Sequence, residues 1–559
     1  MLNTIYPVGV QSFEKLREEG YLYIDKTDMI YSIVHSSQIV FLSRPRRFGK
    51  SLLLSTIQAY FEGRKELFHG LKIESLEKDW VPHTVLRMDF NGIDRTIPNS
   101  LHSKLNSYLS IWEAEYGIHE VHDINPASRM ALVIRRAAEH SGRKVVVLID
   151  EYDKPLTDEL ECDSEKLNLN RDILKAFYTV FKLADEYLQF VFLTGVTKFS
   201  QVSVFSGFNQ ADDLSMVKEY EAIWGITQEE LDKYFSSSLS NLAQALYCSP
   251  EQAAKLLKAQ YDGYHFSEGM TDVYNPFSLL KAFKHNKLDN YWADSGSPSY
   301  LIRLMNHCNE RLDQLAGHYY PSESFIACNA DHEYPLPMMY QSGYLTIKGY
   351  DIERNRFLLD LPNNEVKDVL LYGIANSYFQ SKNKAKIISD DLSLFLKRGD
   401  LESFFNSLTS FLASIPYSMR RKNDEVERER YFQYTFYLIL RLISSFEIKL
   451  EQQQSEGRVD CIVETSVYIY IFEFKLDASA RRALQQIEDR GYARTYLTDK
   501  RFLFKVGVSF SSKTGTIAEW LKSESWYCHL HGFDISPLHM LMCGFLYLVP
   551  WVLPALLLY

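Results

Sequence analysis

Short apolar and β-branched runs alternate with helix-length segments through the first 215 residues, and this alternation predicts a mainly parallel α/β sheet. The predicted strands are Ile39 to Leu42, Thr84 to Phe90, Lys144 to Ile149 and Leu188 to Thr194, with helices such as Lys50 to Phe61 and Ala127 to His140 between them. From about Thr227 the texture turns helical. Thr227-Gln228-Glu229-Glu230 has the form of a capping box, in which each end residue's side chain accepts from the other's backbone N–H. The pattern runs through Pro276 and Gly296-Ser297-Pro298 to a hairpin-like stretch from Tyr344 to Leu361, and Pro362-Asn363-Asn364 reads as a turn. A polar stretch around Ser381 to Lys386 leads into a last region, where the apolar helix Tyr431 to Ser445 precedes two strands in a hairpin, Gly457 to Glu464 and Tyr468 to Lys475.

At roughly 150 residues per domain, this organisation of 559 residues predicts three packed units: 1–225, 226–386 and 387–525, followed by a tail, 526–559. The tail has no Asp, Glu, Lys or Arg from Ile535 to Tyr559, and its length approaches a membrane span. Against a span, Pro550 and Pro554 would disturb a helix and no basic cluster flanks it. A membrane partner is therefore not expected; a disordered, core-covering or frame-shifted tail are the other readings.

Apolar residues at 46% and charged residues at 24% are those of a soluble globular chain, which excludes a disordered or collagen-like protein. With 61 Lys and Arg against 72 Asp and Glu, the net charge is −11, so the chain does not coat nucleic acid by net attraction; contact with DNA needs a local basic patch. Seven cysteines without a C-x-x-C pair suggest neither a disulfide framework nor a zinc knuckle. Gln11, Glu14, Lys15 and Arg17 stand where a signal peptide would be apolar, and a cytoplasmic location is expected.

After the first predicted strand comes Arg44-Pro45-Arg46-Arg47-Phe48-Gly49-Lys50-Ser51, then an apolar helix. A phosphate-binding loop needs backbone N–H groups at a helix N-terminus, a lysine for the β- and γ-phosphate oxygens and a hydroxyl for Mg²⁺; Gly49, Lys50 and Ser51 supply these. Arg44 stands where the first glycine of such a loop usually lies, and the bland alternative is a basic turn capping a helix. Arg46 and Arg47 suit phosphate, nucleic acid or solvent equally. The buried-strand pattern Lys144 to Ile149 ends in Asp150 and Glu151, the form of a Walker B element. Asp150 would hold Mg²⁺ and Glu151 would polarise the attacking water; the alternative is a strand with a solvated acidic end. Thr194, ending the fourth strand, would sense a γ-phosphate, although Thr and Gly at a strand end are also ordinary turn chemistry.

In the C-terminal hairpin, Glu473 and Lys475 point to one face of a run apolar enough to be buried. Asp460, Glu473 and Lys475 fit a site in which two carboxylates hold Mg²⁺ while an amine orients or activates a water for phosphodiester attack. Glu429 would complete the metal shell from the preceding helix, and Gln486 and Tyr492, read on the following helix, would reach the site or the substrate backbone. The alternative is a hairpin Asp with an internal Glu/Lys ion pair. Tyr261-Asp262-Gly263-Tyr264-His265-Phe266 reads as a packed aromatic turn before it reads as a site for His265.

Together these motifs resemble the bacterial and archaeal proteins that join an AAA-ATPase-like domain to a C-terminal PD-(D/E)xK nuclease-like domain. The resemblance runs from about residue 6 to 521. Besides the motifs above it rests on Tyr6-Pro7-Val8-Gly9 with Phe13, Tyr23 to Thr27, Leu148 to Asp153, Leu193 to Phe199, Tyr274-Asn275-Pro276-Phe277, Gln341 to Leu345, and the helix from Gln486-Ile487 to Tyr492. Arg-Pro-Arg-Arg-Phe-Gly-Lys-Ser is usual in that family, which removes the objection raised by Arg44 without showing hydrolysis.

The resemblance implies an α/β fold: an AAA-like P-loop NTPase domain, a helical middle region and a C-terminal restriction-endonuclease-like α/β domain. It implies ATP held by Arg46, Arg47, Phe48, Gly49, Lys50, Ser51, Asp150 and Thr194. Mg²⁺ would lie at Ser51 and Asp150 in one site and at Glu429, Asp460 and Glu473 in the other, with Glu151, Asp460, Glu473 and Lys475 catalytic. Nucleic acid, DNA first, is the implied partner; self-association is open. A nucleotide-dependent switch or scaffold that binds without cutting is the alternative function.

Overall fold

The computed structural model describes residues 5–94, 96–97, 99–119, 125–160, 164–199, 211–292, 298–328, 334–378, 384–413, 425–442, 447–454, 457–496 and 498–525. Within these, the side chains of 164, 378, 384–389, 425–433, 447–454, 457–458 and 525 are not described. The chain divides into two compact units, Met1–Tyr378 and Phe379–Tyr559.

The first unit is built on strands β1 (Ile39–Ser43), β2 (Val85–Asp89), β3 (Val145–Asp150), β4 (Leu188–Gly195) and β5 (Asp212–Asp213), in the order β2-β3-β4-β1-β5. Every pairing in this sheet is parallel. A parallel sheet is covered on both faces and its strands read as continuous apolar runs; β3, with all six residues buried, shows this most fully. The four predicted strands lie within a residue of their expected ends. The helix Lys50–Phe61 begins directly after Gly49, whose φ of 102° turns the chain from β1 into the helix. The helix Pro126–Ser141 has Asn125 as its N-cap, proline in its first turn and Gly142 at its C-terminus.

The same unit continues into helices. In Gln228–Ala245 the Thr227/Glu230 capping box is present with both hydrogen bonds. Ile226, Phe235, Leu279 and Phe283 form part of a core against which Tyr6, Val8 and Ile24 of the N-terminal segment pack. An antiparallel sheet follows from β6 (His318–Pro321), β7 (Thr346–Asp351) and β8 (Arg356–Asp360), in the order β6-β8-β7; β7 and β8 are the predicted hairpin.

The second unit holds β9 (Glu447–Gln454), β10 (Gly457–Glu464), β11 (Tyr468–Leu476), β12 (Phe502–Ser511) and β13 (Thr516–Ser525), ordered β13-β12-β11-β10-β9. Only β11 and β12 pair in parallel among these strands. A parallel pair requires a crossover, and it contains the helix Ala480–Asp489. The helix lies directly on β12 at Gly507, where a Cβ would fall 2.2 Å from the Ala480 carbonyl oxygen and 2.6 Å from the Leu484 nitrogen. The apolar helix before the hairpin spans Glu425–Leu442, its first turn being the charged run that an apolar pattern does not register. Among the described residues no helix is long and apolar enough to cross a membrane, and the apolar tail lies outside them.

Candidate functional site

In the first unit the sheet order sets the site. β4 is inserted between β1, which leads into the loop Arg44 to Ser51, and β3, which ends in Asp150. Thr194 at the end of β4 therefore stands between the two motifs, paired in register with Leu42 of β1. Above the strand ends lies a cavity of about 450 Å³. Its walls include Arg46 to Ser51, Asn91, Glu151, the segment Pro7 to Gln11, Trp224 and Phe277.

Within the loop, the Lys50 ammonium is buried and donates to the carbonyls of Arg44 and Pro45, each at 3.2 Å. An ammonium has three protons, so a phosphate oxygen can take the third. Arg46 and Arg47 are exposed at the cavity. Arg47 has a φ of 70° and its guanidinium lies 4.7 Å from the Phe277 ring centre. Phe48 is buried edge-on against Tyr264 and Phe266, at 5.0 and 5.4 Å between ring centres, so the loop is anchored by the aromatic turn seen in the sequence. His265 of that turn contacts Ile347 O through Nδ1 and Asp272 Oδ1 through Nε2, both at 2.8 Å; it is a packed turn residue.

Arg44 points away from the phosphate site. Its guanidinium is buried, donates to the carbonyls of Ser43, Ser215 and Tyr220 at 2.9, 2.7 and 3.2 Å, and lies 4.2 Å from the Phe266 ring centre. The side chain that replaces the usual glycine thus holds the loop from behind.

Asp150 is 1% exposed with the Ser51 side chain beside it, and burial raises its pKa. Its Oδ1 and the Oγ1 of Thr194 are buried without a hydrogen-bond partner. Buried polar atoms are ordinarily bonded. Two such oxygens beside a lysine, a serine hydroxyl and a positive-φ glycine are a donor set that Mg²⁺ and a nucleoside triphosphate fit. Glu151, with φ of 51°, lines the cavity. A positive φ is costly for a residue with a long side chain and is characteristic of functional turns.

In the second unit Asp460, one residue before the Cys461–Phe472 pair, stands across from Glu473 on the antiparallel β10–β11 ladder. Glu473 is 1% exposed; its Oε1 accepts from Lys475 Nζ at 3.2 Å and from the Gln486 side-chain amide, while Oε2 is buried without a partner. Asp460 Oδ2 accepts from Phe474 N at 2.8 Å. Burial first, and the charge of Asp460 second, push the Glu473 carboxyl up to about 7. A cation relieves both causes, so this pair fits a divalent ion. The structure therefore brings Asp460, Glu473, Lys475 and Gln486 together. The Glu429 side chain lies outside the described residues. Among the described residues no three His, Cys, Asp or Glu side chains converge as a metal-binding group.

Tyr492 is placed differently from its expected position. The helix ends at Asp489, Gly491 adopts a φ of 60°, and Tyr492 begins a 3-10 turn, its ring 1% exposed among Val459, Ile462, Ile469 and Ile487. It packs the sheet against the helix and does not face a substrate. Two further residues have no role in the sequence reading: Gly507 belongs to no motif, and Asp153 only ends the Leu148 to Asp153 stretch. Gly507 lets the helix approach closely enough for Gln486 to reach Glu473, and an isolated glycine inside a strand is its sequence signal. Asp153 is buried beside Glu151, and a second acid shortly after the strand-end pair was its signal.

Residues 7–205 match the AAA-ATPase-like family model described as Predicted AAA-ATPase, and residues 427–520 match the PD-(D/E)XK nuclease superfamily. A protein of Azotobacter chroococcum mcd 1, described as an uncharacterized protein in the vnfD 5'region, is 34% identical over 522 residues, covering 91% of this chain and 97% of that protein. Among solved structures, the Aeropyrum pernix ORC1 protein in complex with DNA aligns over 63% of this chain and 93% of its own at 10% identity, with a TM-score of 0.24, a likeness too slight to build on. The near full-length relative and the two matched domains show that the chain belongs to the family that joins an AAA-ATPase-like domain to a C-terminal PD-(D/E)XK nuclease superfamily domain.

Proposed function

We propose that the first unit binds and hydrolyses ATP and that the second cleaves nucleic acid, DNA first, with Mg²⁺ at both sites and ATP controlling cleavage. One observation recurs in both units and carries this reading. Each places a carboxylate on a sheet strand, Asp150 and Glu473, buries it, and leaves one of its oxygens without a partner. For stability alone that arrangement is costly.

In the first unit, Lys50 takes a β- or γ-phosphate oxygen, backbone N–H groups from Phe48 to Ser51 surround the β-phosphate, and Ser51 and Asp150 face the cation. Thr194 meets the γ-phosphate, and Glu151 polarises the attacking water. Arg46 and Arg47 draw the phosphates to the mouth, while Val8, Ile24, Trp224 and Phe277 give the cavity an apolar end for a base. In the second unit, Asp460 and Glu473 would hold the cation, Glu429 is the residue proposed to complete its shell, and Gln486 holds Glu473. Lys475 orients or activates a water for attack on the phosphodiester. Mg²⁺, when bound, supplies charge neutralisation at the attacked phosphate and acidifies its bound water. A cytoplasmic location goes with this reading.

The second reading is a nucleotide-dependent switch whose nuclease-like domain binds nucleic acid without cutting. It is favoured by the Lys475 ammonium lying 3.2 Å from Glu473 Oε1, the internal ion pair of a hairpin that holds its charges without cutting. Labelled single- and double-stranded DNA and RNA, incubated with the wild-type chain and with Lys475→Ala, separate the two. Cleavage by the wild type, lost in Lys475→Ala with binding retained, supports cutting; binding without cleavage by either protein supports the switch.

A further inference from the structure

We propose that Asp153 is a positioning residue for ATP hydrolysis: its buried carboxylate clips the turn bearing Asp150 and Glu151 to the end of β4 and so fixes where Thr194 stands. This rests on the ATPase reading above. Asp153 is 1% exposed. Its Oδ2 accepts from Thr197 N at 2.6 Å and from Val196 N at 3.2 Å, and its Oδ1 lies 3.3 Å from the same Val196 nitrogen. Both donors follow Thr194 within three residues.

The neighbouring contacts serve the same junction. Tyr152 N donates to Thr194 O at 3.1 Å. The Tyr152 hydroxyl donates to Thr197 O at 2.7 Å and accepts from Phe199 N at 3.2 Å. Gly195 completes the clip, because a Cβ there would lie 2.3 Å from Asp153 Oδ1 and 2.8 Å from the Tyr152 ring. The chain thus bends around this carboxylate between the residue that meets the γ-phosphate and the strand's exit.

A carboxylate is an expensive way to join two backbones. No salt-bridge partner holds Asp153 among the described ion pairs, and burial together with the Glu151 charge raises its pKa to about 6. Burying a charge is tolerated when hydrogen bonds compensate it, and those bonds are strong and directional. Directional control matters because a displacement of about 1 Å in a catalytic group can cost about a hundredfold in rate. Thr194 and Glu151 must both address one γ-phosphate, and Asp153 is the charged side chain, beside the Tyr152 hydroxyl, that joins the backbones carrying them.

The test compares full-length wild type with Asp153→Asn, Thr194→Val and the double variant. ATP hydrolysis is measured at saturating ATP with Mg²⁺, and affinity separately by titration calorimetry. The expected result is a fall in kcat of at least tenfold in Asp153→Asn with the ATP Kd within threefold of wild type. The double variant should be no slower than Thr194→Val, because a residue acting through Thr194 has nothing left to position. Gly195→Ala pushes a methyl group into the same carboxylate and should show the same kcat loss at retained affinity; it carries the comparison if Asp153→Asn does not fold. The proposal is overturned by an unchanged kcat, by losses that multiply in the double variant, or by parallel loss of kcat and affinity. A wild type that binds ATP without hydrolysing it overturns the ATPase reading itself, a distinguishable failure.

Discussion

Replacing Glu473 by glutamine should stabilise the metal-free protein at pH 8 while ending its response to Mg²⁺. The carboxyl is pushed up to about 7 by burial and then by Asp460, with Lys475 opposing. In the unfolded chain a glutamate ionises near pH 4.3. The folded state therefore holds this proton more tightly, and the stability gained is present in full below about pH 4 and lost as pH rises through 7. One pKa unit corresponds to about 1.4 kcal/mol. With part of the shift shared with Asp460, the ionised side chain costs on the order of 2 kcal/mol at pH 8. Glutamine keeps the shape and carries no charge. At about 2–4 °C per kcal/mol for a domain of this size, the variant should melt roughly 4–8 °C above the wild type at pH 8 and close to it at pH 4.5. Differential scanning calorimetry in EDTA, following the transition of the second unit, is the assay. Excess MgCl2 at pH 8 should raise the wild-type transition and leave the variant in place. A variant that melts below the wild type at pH 8 in EDTA refutes the reasoning, since Glu473 would then be a net stabilising partner of Lys475.

Three other outcomes follow from named contacts. Gly507→Ala puts a methyl group 2.2 Å from the Ala480 carbonyl oxygen; overpacking of this kind costs about 1–3 kcal/mol, so the melting temperature should drop and the Mg²⁺-induced rise should shrink as Gln486 is displaced, and an unchanged melt contradicts the close approach. Arg44→Gly restores the commoner loop glycine but removes three hydrogen bonds and the stack on Phe266; the first unit should lose about 2–4 kcal/mol with no gain in ATP affinity, and tighter ATP binding at unchanged stability argues against this role. Lys50→Ala should weaken ATP binding at least tenfold by calorimetry while leaving the melting temperature within a few degrees; unchanged affinity would remove the loop from the nucleotide site.

The elements and motif chemistry of this chain were legible because they are local. β3 could be read from six buried residues in a row, and the loop after β1 from its Gly-Lys-Ser ending. What stayed hidden depends on pairing across long sequence separations. Thr194 reads as a γ-phosphate sensor with ordinary turn chemistry as the alternative, and its place between the two motif strands depends on the sheet order, which inserts β4 there. The family pattern accounts for Arg44 in place of a loop glycine, but what its side chain does is not legible locally, because its carbonyl partners, Ser215 and Tyr220, lie more than 170 residues away. Tyr492 was read as a helical residue because an apolar period does not register the turn at Gly491. Gly507 and Asp153 act through approach distances that no spacing rule contains.

The central claim is that the two sites form one ATP-controlled nuclease. The direct measurement is Mg²⁺-dependent cleavage of mixed single- and double-stranded DNA, with and without ATP, by the wild type, Lys475→Ala and Lys50→Ala. Cleavage should vanish in Lys475→Ala, and ATP should alter it only when Lys50 is present. Cleavage unaffected by either substitution would contradict the claim.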